Sequence, residues 1–270
     1  MHTLHHIPAC PFSQRLEILL ALKGCPEAVR FQVVDITRPR PPSLLALTGG
    51  STALPVLVTD GGAVLRESLV LLRYLDTVLP GPRVAQDDPL RHAQENLLCT
   101  LEGPFGNAGY TLVMNQDPDQ RAARTQALLD VYARLDDELR RHGGSGPWLF
   151  ERFGWAEAVF TPLFARFAFL AYYEGFELPD EGRFDRVRRW RDACLRHPAA
   201  QQVSAEAVVK LYHDYARGFG NGSLPPGRSV SSFAFEPAWS QRPWPPRDKY
   251  GPAPDDLALG LLAAVSPPLG

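Results

Sequence analysis

The spacing of apolar residues changes character once along this chain, near residue 88, and that switch restricts the folds open to it. Up to residue 79, strand-like and helix-like segments alternate. Residues 4–7 read as a short strand. Residues 11–23 read as a helix, with Pro11 suited to its first position, Gly24 to its end, and Leu16, Leu19 and Leu20 at helical spacing. Residues 31–36 are strand-like by β-branching, and the prolines between 39 and 42 force a loop. Residues 54–59 form a strand opened by Pro55, Asp60-Gly61-Gly62 is a hairpin turn, and residues 63–65 return. Residues 68–79 are a helix with Leu69, Leu72 and Leu75 along one stripe. The order is β-α-β-(short helix)-β-β-α.

From Asp88-Pro89, an N-cap followed by proline, the pattern turns helical. One helix runs toward Met114, interrupted by Gly103-Pro104. Others are expected over 120–141, 154–173, 184–196 and 205–219, the third of the five being apolar on most sides. The expected organisation is an α/β domain over residues 1–80, an all-α domain over 88–220, and an extension over 221–270. That extension holds ten prolines interleaved with Phe233, Phe235, Trp239, Trp244 and Tyr250. So many aromatics favour an arm packed on the body or on a partner subunit over a disordered tail.

With 21% charged residues and a formal net charge of −2, no global field favours nucleic acid or an anionic membrane. The densest basic stretch, Arg186-Val187-Arg188-Arg189, reads as a solvated helix face. No segment reaches the roughly 18 apolar residues of a membrane span. The first residues lack the layout of a signal peptide, so a cytoplasmic protein is expected, with no nucleic-acid and no membrane partner. Cys10, Cys25, Cys99 and Cys194 are scattered without C-x-x-C spacing and are expected as free thiols. His2, His5 and His6 crowd the first strand, but alternation puts His5 and His6 on opposite faces, which argues against a shared metal.

The chemistry concentrates in Ala9-Cys10-Pro11-Phe12-Ser13-Gln14-Arg15. A strand ends before it and a helix begins at Pro11, which puts the Cys10 side chain beside the unsatisfied amides of the first turn. Those amides and the helix dipole favour the thiolate, the reactive form. Ser13 stands where a dithiol oxidoreductase carries its resolving cysteine, so the site is monothiol and the second thiol must come from outside. Cys99 and Cys194 fall in helices of the bundle and, with Cys25, read as small hydrophobes.

The run from Cys10 to Arg15 resembles the active-site motif of dehydroascorbate reductases, omega-class glutathione transferases and chloride intracellular channel proteins. Two further segments are similar to the wider glutathione transferase superfamily: Leu54-Pro55-Val56-Leu57, where that family has a cis-proline, and Glu67-Ser68 at the start of a helix, where it has an acidic-Ser pair. The likeness spans residues 1 to 215 and is strongest in the first 80. It implies a thioredoxin-like N-terminal domain with an all-α C-terminal domain, an active cleft between them, a homodimer, and glutathione as cosubstrate. Phe12 is implied at the glutathione site. Leu54 would offer its N–H and C=O to the cysteinyl moiety beside Pro55, Ser68 would bind the γ-glutamyl carboxylate, and Glu67 its ammonium. In the bundle, Gly154-Trp155-Ala156-Glu157 resembles a capping box in which Gly154 leaves only half of the reciprocal cap. Arg166 falls where omega-class proteins carry an arginine near the substrate pocket, although a surface ion pair explains it equally. Phe105, Tyr110, Tyr172 and Tyr173 are candidate pocket walls, or simply core.

The sequence departs from the omega pattern where a lysine would grip the glycyl end of glutathione. Thr48 stands there, followed by Gly49, Gly50 and Ser51, so either Arg38 or Arg40 substitutes from the preceding loop or affinity for glutathione is low. The leading expectation is a glutathione-dependent thiol transferase or reductase with Cys10 as nucleophile, acting on a glutathionyl disulfide, a glutathione thioether or dehydroascorbate. One alternative is conjugation or isomerisation with Ser13 activating the glutathione thiol. Another is a non-catalytic binding module with the aromatic-proline arm as its contact surface.

Overall fold

Four short strands form one mixed sheet in the computed structural model, which describes residues 1–180 and 182–262. Strand β1 (His2–His6) lies beside parallel β2 (Val29–Val33) and antiparallel β3 (Val56–Val58), and β4 (Val64–Leu65) closes the order β2-β1-β3-β4. Around it run α1 (Pro11–Lys23), α2 (Pro42–Thr48) and α3 (Ser68–Val78). Side chains alternate along β1, so His2, Leu4 and His6 are buried and Thr3 and His5 are less so. Helix α1 ends as its sequence requires. Gly24 sits at φ +66, a left-handed conformation open to glycine, and its N–H closes the last turn onto Ala21 and Leu20.

The helical part comprises α4 (Pro89–Cys99), α5 (Glu102–Met114), α6 (Arg121–His142), α7 (Trp155–Arg166), α8 (Ala168–Tyr173), α9 (Asp185–Arg196), α10 (Ala205–Leu211) and α11 (His213–Ala216). Phe105, Phe160, Phe164, Phe169, Trp155 and Trp190 fill its core. Glu157 does double duty at the head of α7. Its Oε2 accepts from Gly154 N at 2.9 Å, the surviving half of the cap, while Oε1 accepts from Leu149 N at 2.7 Å and Trp190 Nε1 at 2.8 Å.

Several boundaries differ from the sequence reading for physical reasons. The first long helix breaks at Thr100–Leu101, not at Gly103-Pro104, because Pro104 falls in the first turn of α5, where its missing N–H costs nothing. The segment 154–173 is two helices divided at Phe167, whose ring presses on Gly109, where a Cβ would come within 2.2 Å of it. The segment 205–219 likewise divides at Tyr212. Arg186 is no solvated residue. It is 3% exposed and its Nη2 donates to Trp148 O at 2.6 Å.

The described part of the extension packs on the body. Phe233 lies 4.8 Å from the Tyr212 ring centroid, Trp244 stacks on Tyr172 at 5.4 Å, and Tyr172 OH donates to Pro245 O at 2.6 Å. The Lys249 ammonium is buried, pairs with Glu174, and donates to Val113 O at 2.7 Å and Asn115 O at 2.6 Å. Gly222, at φ +78, crosses to the α/β part so closely that a Cβ there would stand 2.5 Å from Ile36 O.

Burial pushes the His213 imidazole down to about 4, with Arg228 and Arg217 adding to the effect. Above pH 6.5 this ring is neutral folded or unfolded. As pH falls from 6.5 toward 4, the unfolded chain takes up a proton that the folded chain refuses, so stability drains by roughly 3 kcal/mol. We expect the slope of unfolding free energy against pH in that window to be shallower in His213→Leu than in the wild type. Equal slopes would show that the ring is not held neutral.

Candidate functional site

Strand register carries the three motifs to one end of the sheet. His5 pairs with Val56, so Leu54-Pro55 lies beside the residues that follow β1, and Leu65 pairs with Leu57, so Arg66, Glu67 and Ser68 emerge at the same end. The Leu54–Pro55 peptide is cis, and among the described residues no hydrogen bond engages Leu54 N–H or C=O. Pro55 is buried beneath it. Glu67 is exposed and holds φ +68, a left-handed conformation unusual for a residue with a side chain, and it delivers Ser68 as the first residue of α3.

Cys10 is the N-cap of α1, with φ −73 and ψ 127, and it is partly exposed. Its carbonyl takes the N–H groups of Ser13 (3.2 Å) and Gln14 (3.0 Å), and Pro11 has none to give. Among the described residues the Phe12 N–H thus has no partner and remains the free amide of the first turn. The Phe12 side chain is 40% exposed. Ser13 is only 1% exposed, and its hydroxyl finds no partner among the described residues. Cys99 and Cys194 are buried, and burial pushes both thiols far up, out of the nucleophilic range. Cys25 is partly exposed, at the far end of α1.

Two buried arginines fasten this end to the helical part. Arg15, 1% exposed, donates through Nη1 to Ser68 Oγ at 2.9 Å and through Nε to Val159 O at 3.1 Å, and pairs through Nη2 with Glu102. Because Ser68 accepts from Arg15, its own O–H is left to donate outward. The motif alone assigns Arg15 no role. The signal was present: with Ile18, Leu19 and Leu22 it occupies one stripe of α1, an odd place for a lone guanidinium.

Arg166 is a correction. It is 0% exposed, not a surface residue, and it lies under the turn that precedes Cys10. Nε and Nη2 donate to Ala9 O at 2.9 and 2.6 Å, and Nη1 reaches Gln14 Oε1. Tyr212 OH donates to the same Ala9 carbonyl at 3.2 Å, and Tyr110 OH donates to Tyr212 OH at 3.3 Å. Of the four aromatic candidates only Tyr110 faces this corner. Phe105 is core, Tyr172 is covered by Trp244, and Tyr173 donates to Val209 O at 2.7 Å. Burial holds Tyr110 and Tyr212 as neutral phenols, each pushed above the usual tyrosine range.

Thr48 is turned inward, its hydroxyl donating to Ser51 O at 2.6 Å. Arg40 Nε donates to Thr52 O at 3.3 Å, two residues before Leu54, whereas the Arg38 side chain is 82% exposed and pairs with Asp35. A surface depression of about 400 Å³ lined by Arg91, His142 and Phe150 holds none of the residues that converge on Cys10. No group of side chains among the described residues has the make-up of a metal site, and no described helix is long and apolar enough to cross a membrane.

Residues 9–78 match the family model of the glutathione S-transferase N-terminal domain, and residues 118–193 that of its C-terminal domain. The maleylacetoacetate isomerase of Pseudomonas aeruginosa is 30% identical over 200 residues, covering 71% of this chain and 90% of that protein. Glutathione S-transferase omega-1 of Sus scrofa is 23% identical over 202 residues, covering 73% and 78%. Among solved structures, glutathione transferase Omega 3C from Trametes versicolor superposes with a TM-score of 0.64 at 21% identity over 75% of this chain and 89% of that one. At that identity the likeness is one of fold.

Proposed function

The chain belongs to the glutathione transferase family, and from that premise we propose that it is a glutathione-dependent thiol transferase with Cys10 as its nucleophile. The observation that carries this reading is the placement of Cys10. It is a partly exposed thiol at a helix N-terminus beside a free amide, at the sheet end where Leu54, Glu67 and Ser68 also emerge. The Cys10 thiolate attacks the glutathionyl sulfur of a mixed disulfide. The other thiol of that disulfide leaves as a thiolate and takes up a proton, and Cys10 is left disulfide-bonded to glutathione. A second glutathione thiolate then attacks that disulfide, releasing oxidised glutathione and the Cys10 thiolate.

The same geometry supports a glutathione cradle. The Leu54 N–H and C=O pair with the cysteinyl backbone, the Ser68 O–H donates to the γ-glutamyl carboxylate, and Glu67 receives its ammonium. Arg40 is the better placed of the two arginines to meet the glycyl carboxylate, since its guanidinium already lies against the segment that leads into Leu54. Arg40→Ala is expected to raise KM for glutathione roughly tenfold with kcat little changed, because the glycyl end is remote from the reacting sulfur. An unchanged KM would remove Arg40 from the cradle. The working unit we propose is a homodimer, as the family resemblance implies. Arg73 Nη2 donates to Asn96 Oδ1 at 2.9 Å, setting α3 beside α4, and exposed Val70 and Leu97 on these helices supply apolar surface for the contact. Light scattering of the intact chain reads its mass directly.

Intact-protein mass after incubation with oxidised glutathione tests the central claim. One glutathione adduct on the wild type and none on Cys10→Ser is the expected result. Absence of an adduct on reduced wild-type protein would shift the reading to the binding module. A second reading, glutathione-dependent isomerisation, draws on the isomerase relative at 30% identity. Against it, the Ser13 hydroxyl that would activate the glutathione thiol is enclosed.

A further inference from the structure

Buried charges in proteins are paired, because an uncompensated ion in a low-dielectric interior is costly. Arg15 obeys this rule through Glu102. Arg166 does not. At 0% exposure it forms no ion pair with any described residue, and its donors are spent on neutral oxygens: the Ala9 and Pro162 carbonyls and the Gln14 amide. Glu17, one turn along α1, feels this charge yet makes no ion pair with it. What the guanidinium grips is the carbonyl of the residue before Cys10, held at φ +61 in the left-handed region.

We infer that Arg166 is a positioning residue whose missing counter-ion is the Cys10 thiolate: it locks the turn that presents Cys10 and supplies an uncompensated positive charge behind it. The inference rests on the reading of Cys10 as the nucleophile. The other ionisable groups facing this corner do not supply the charge. Tyr110, Tyr212 and Tyr215 are kept neutral by burial, and the Glu17 carboxyl, pushed up by burial, could only oppose it. The charge acts through the field rather than by touching substrate, and it is worth more here than in water because the guanidinium is sealed from solvent.

Gln14→Glu tests this, at the cost of the hydrogen bonds that Gln14 Nε2 gives Gln202 Oε1 (3.0 Å) and Ala200 O (3.5 Å), so the Arg166 variants below are read beside it. It hands Arg166 the carboxylate it lacks at an atom already in contact with Nη1. The rate at which iodoacetamide alkylates Cys10 in the full chain, followed by mass across about pH 5–9, should fall roughly tenfold near neutrality, with the whole profile displaced toward higher pH. Arg166→Gln should displace it the same way, and Arg166→Lys, which keeps the charge, should restore its position. Tyr212→Phe, which removes a hydrogen bond but no charge, should slow the reaction without displacing the profile. A Gln14→Glu profile superimposable on the wild type would overturn the inference. Alkylation of the wild type that spares Cys10 would instead overturn the reading beneath it, and the two failures are separately visible because the assay needs no glutathione.

Discussion

Cys10→Ser is expected to lower glutathione-dependent thiol transfer by roughly a thousandfold or more, while Ser13→Ala leaves it within about threefold. A serine hydroxyl at the N-cap is not ionised near neutrality, so the same helix terminus that favours a thiolate gives it little nucleophilic character. Ser13 offers nothing in compensation: it is 1% exposed beneath the first turn. The comparison decides between chemistries as well as residues. If conjugation of an aryl halide survives in Cys10→Ser and disappears in Ser13→Ala, the glutathione thiol is the working nucleophile and the thiol-transfer reading fails. Glutathione affinity should change little in either variant, because the cradle proposed at Leu54, Glu67, Ser68 and Arg40 is made from other elements.

The order of elements was legible because it depends on periodicity and punctuation that survive in any context. Pro11 and Gly24 bound α1 to the residue, and Asp60-Gly61-Gly62 marks the turn between β3 and β4. Strand ends were not. Residues 4–7 were expected where β1 spans His2–His6, since polar His2 and His6 occupy the buried face and disguise the alternation. The half-cap at Gly154 could be read from one glycine, because a missing side chain is a local fact. The partners of Arg15 and Arg166 could not, because they lie more than 50 residues distant: Ser68 for one, Ala9 for the other. Arg166, near the middle of a segment apolar on most sides, looks like a surface cation until the α/β part is laid over it. Packing of the arm was inferable from its aromatics, but its charged anchors were not, since Arg228, Asp214 and Asp256 meet only in the folded chain.

Those anchors predict the largest stability effect. Arg228, 9% exposed, bonds Asp256 through Nε, Asp214 Oδ1 through Nη1 at 3.3 Å, and Val230 O through Nη2 at 2.7 Å. Asp256 Oδ2 also takes Ser229 N at 2.8 Å, and Asp214 Oδ2 takes Ser232 N at 2.7 Å, so the three side chains knot the arm onto α11. Arg228→Met leaves two enclosed carboxylates without a cation. The expected loss is about 3–5 kcal/mol in chemical denaturation, since an orphaned buried charge costs far more than the pair contributed. Burial already pushes the Asp214 carboxyl up, so part of that loss will appear as proton uptake, and the variant should recover stability as pH is lowered toward the carboxylate range. Adding Asp214→Asn and Asp256→Asn to Arg228→Met should restore much of the loss, because an amide can still accept from Ser232 and Ser229 without carrying charge. A loss below about 1 kcal/mol for Arg228→Met would mean that the arm is held by its aromatics and by Lys249 rather than by this knot. The consequence reaches the site either way: Phe233 braces Tyr212, and Tyr212 holds the Ala9 carbonyl. Loosening the arm should therefore slow alkylation of Cys10 before the chain as a whole unfolds.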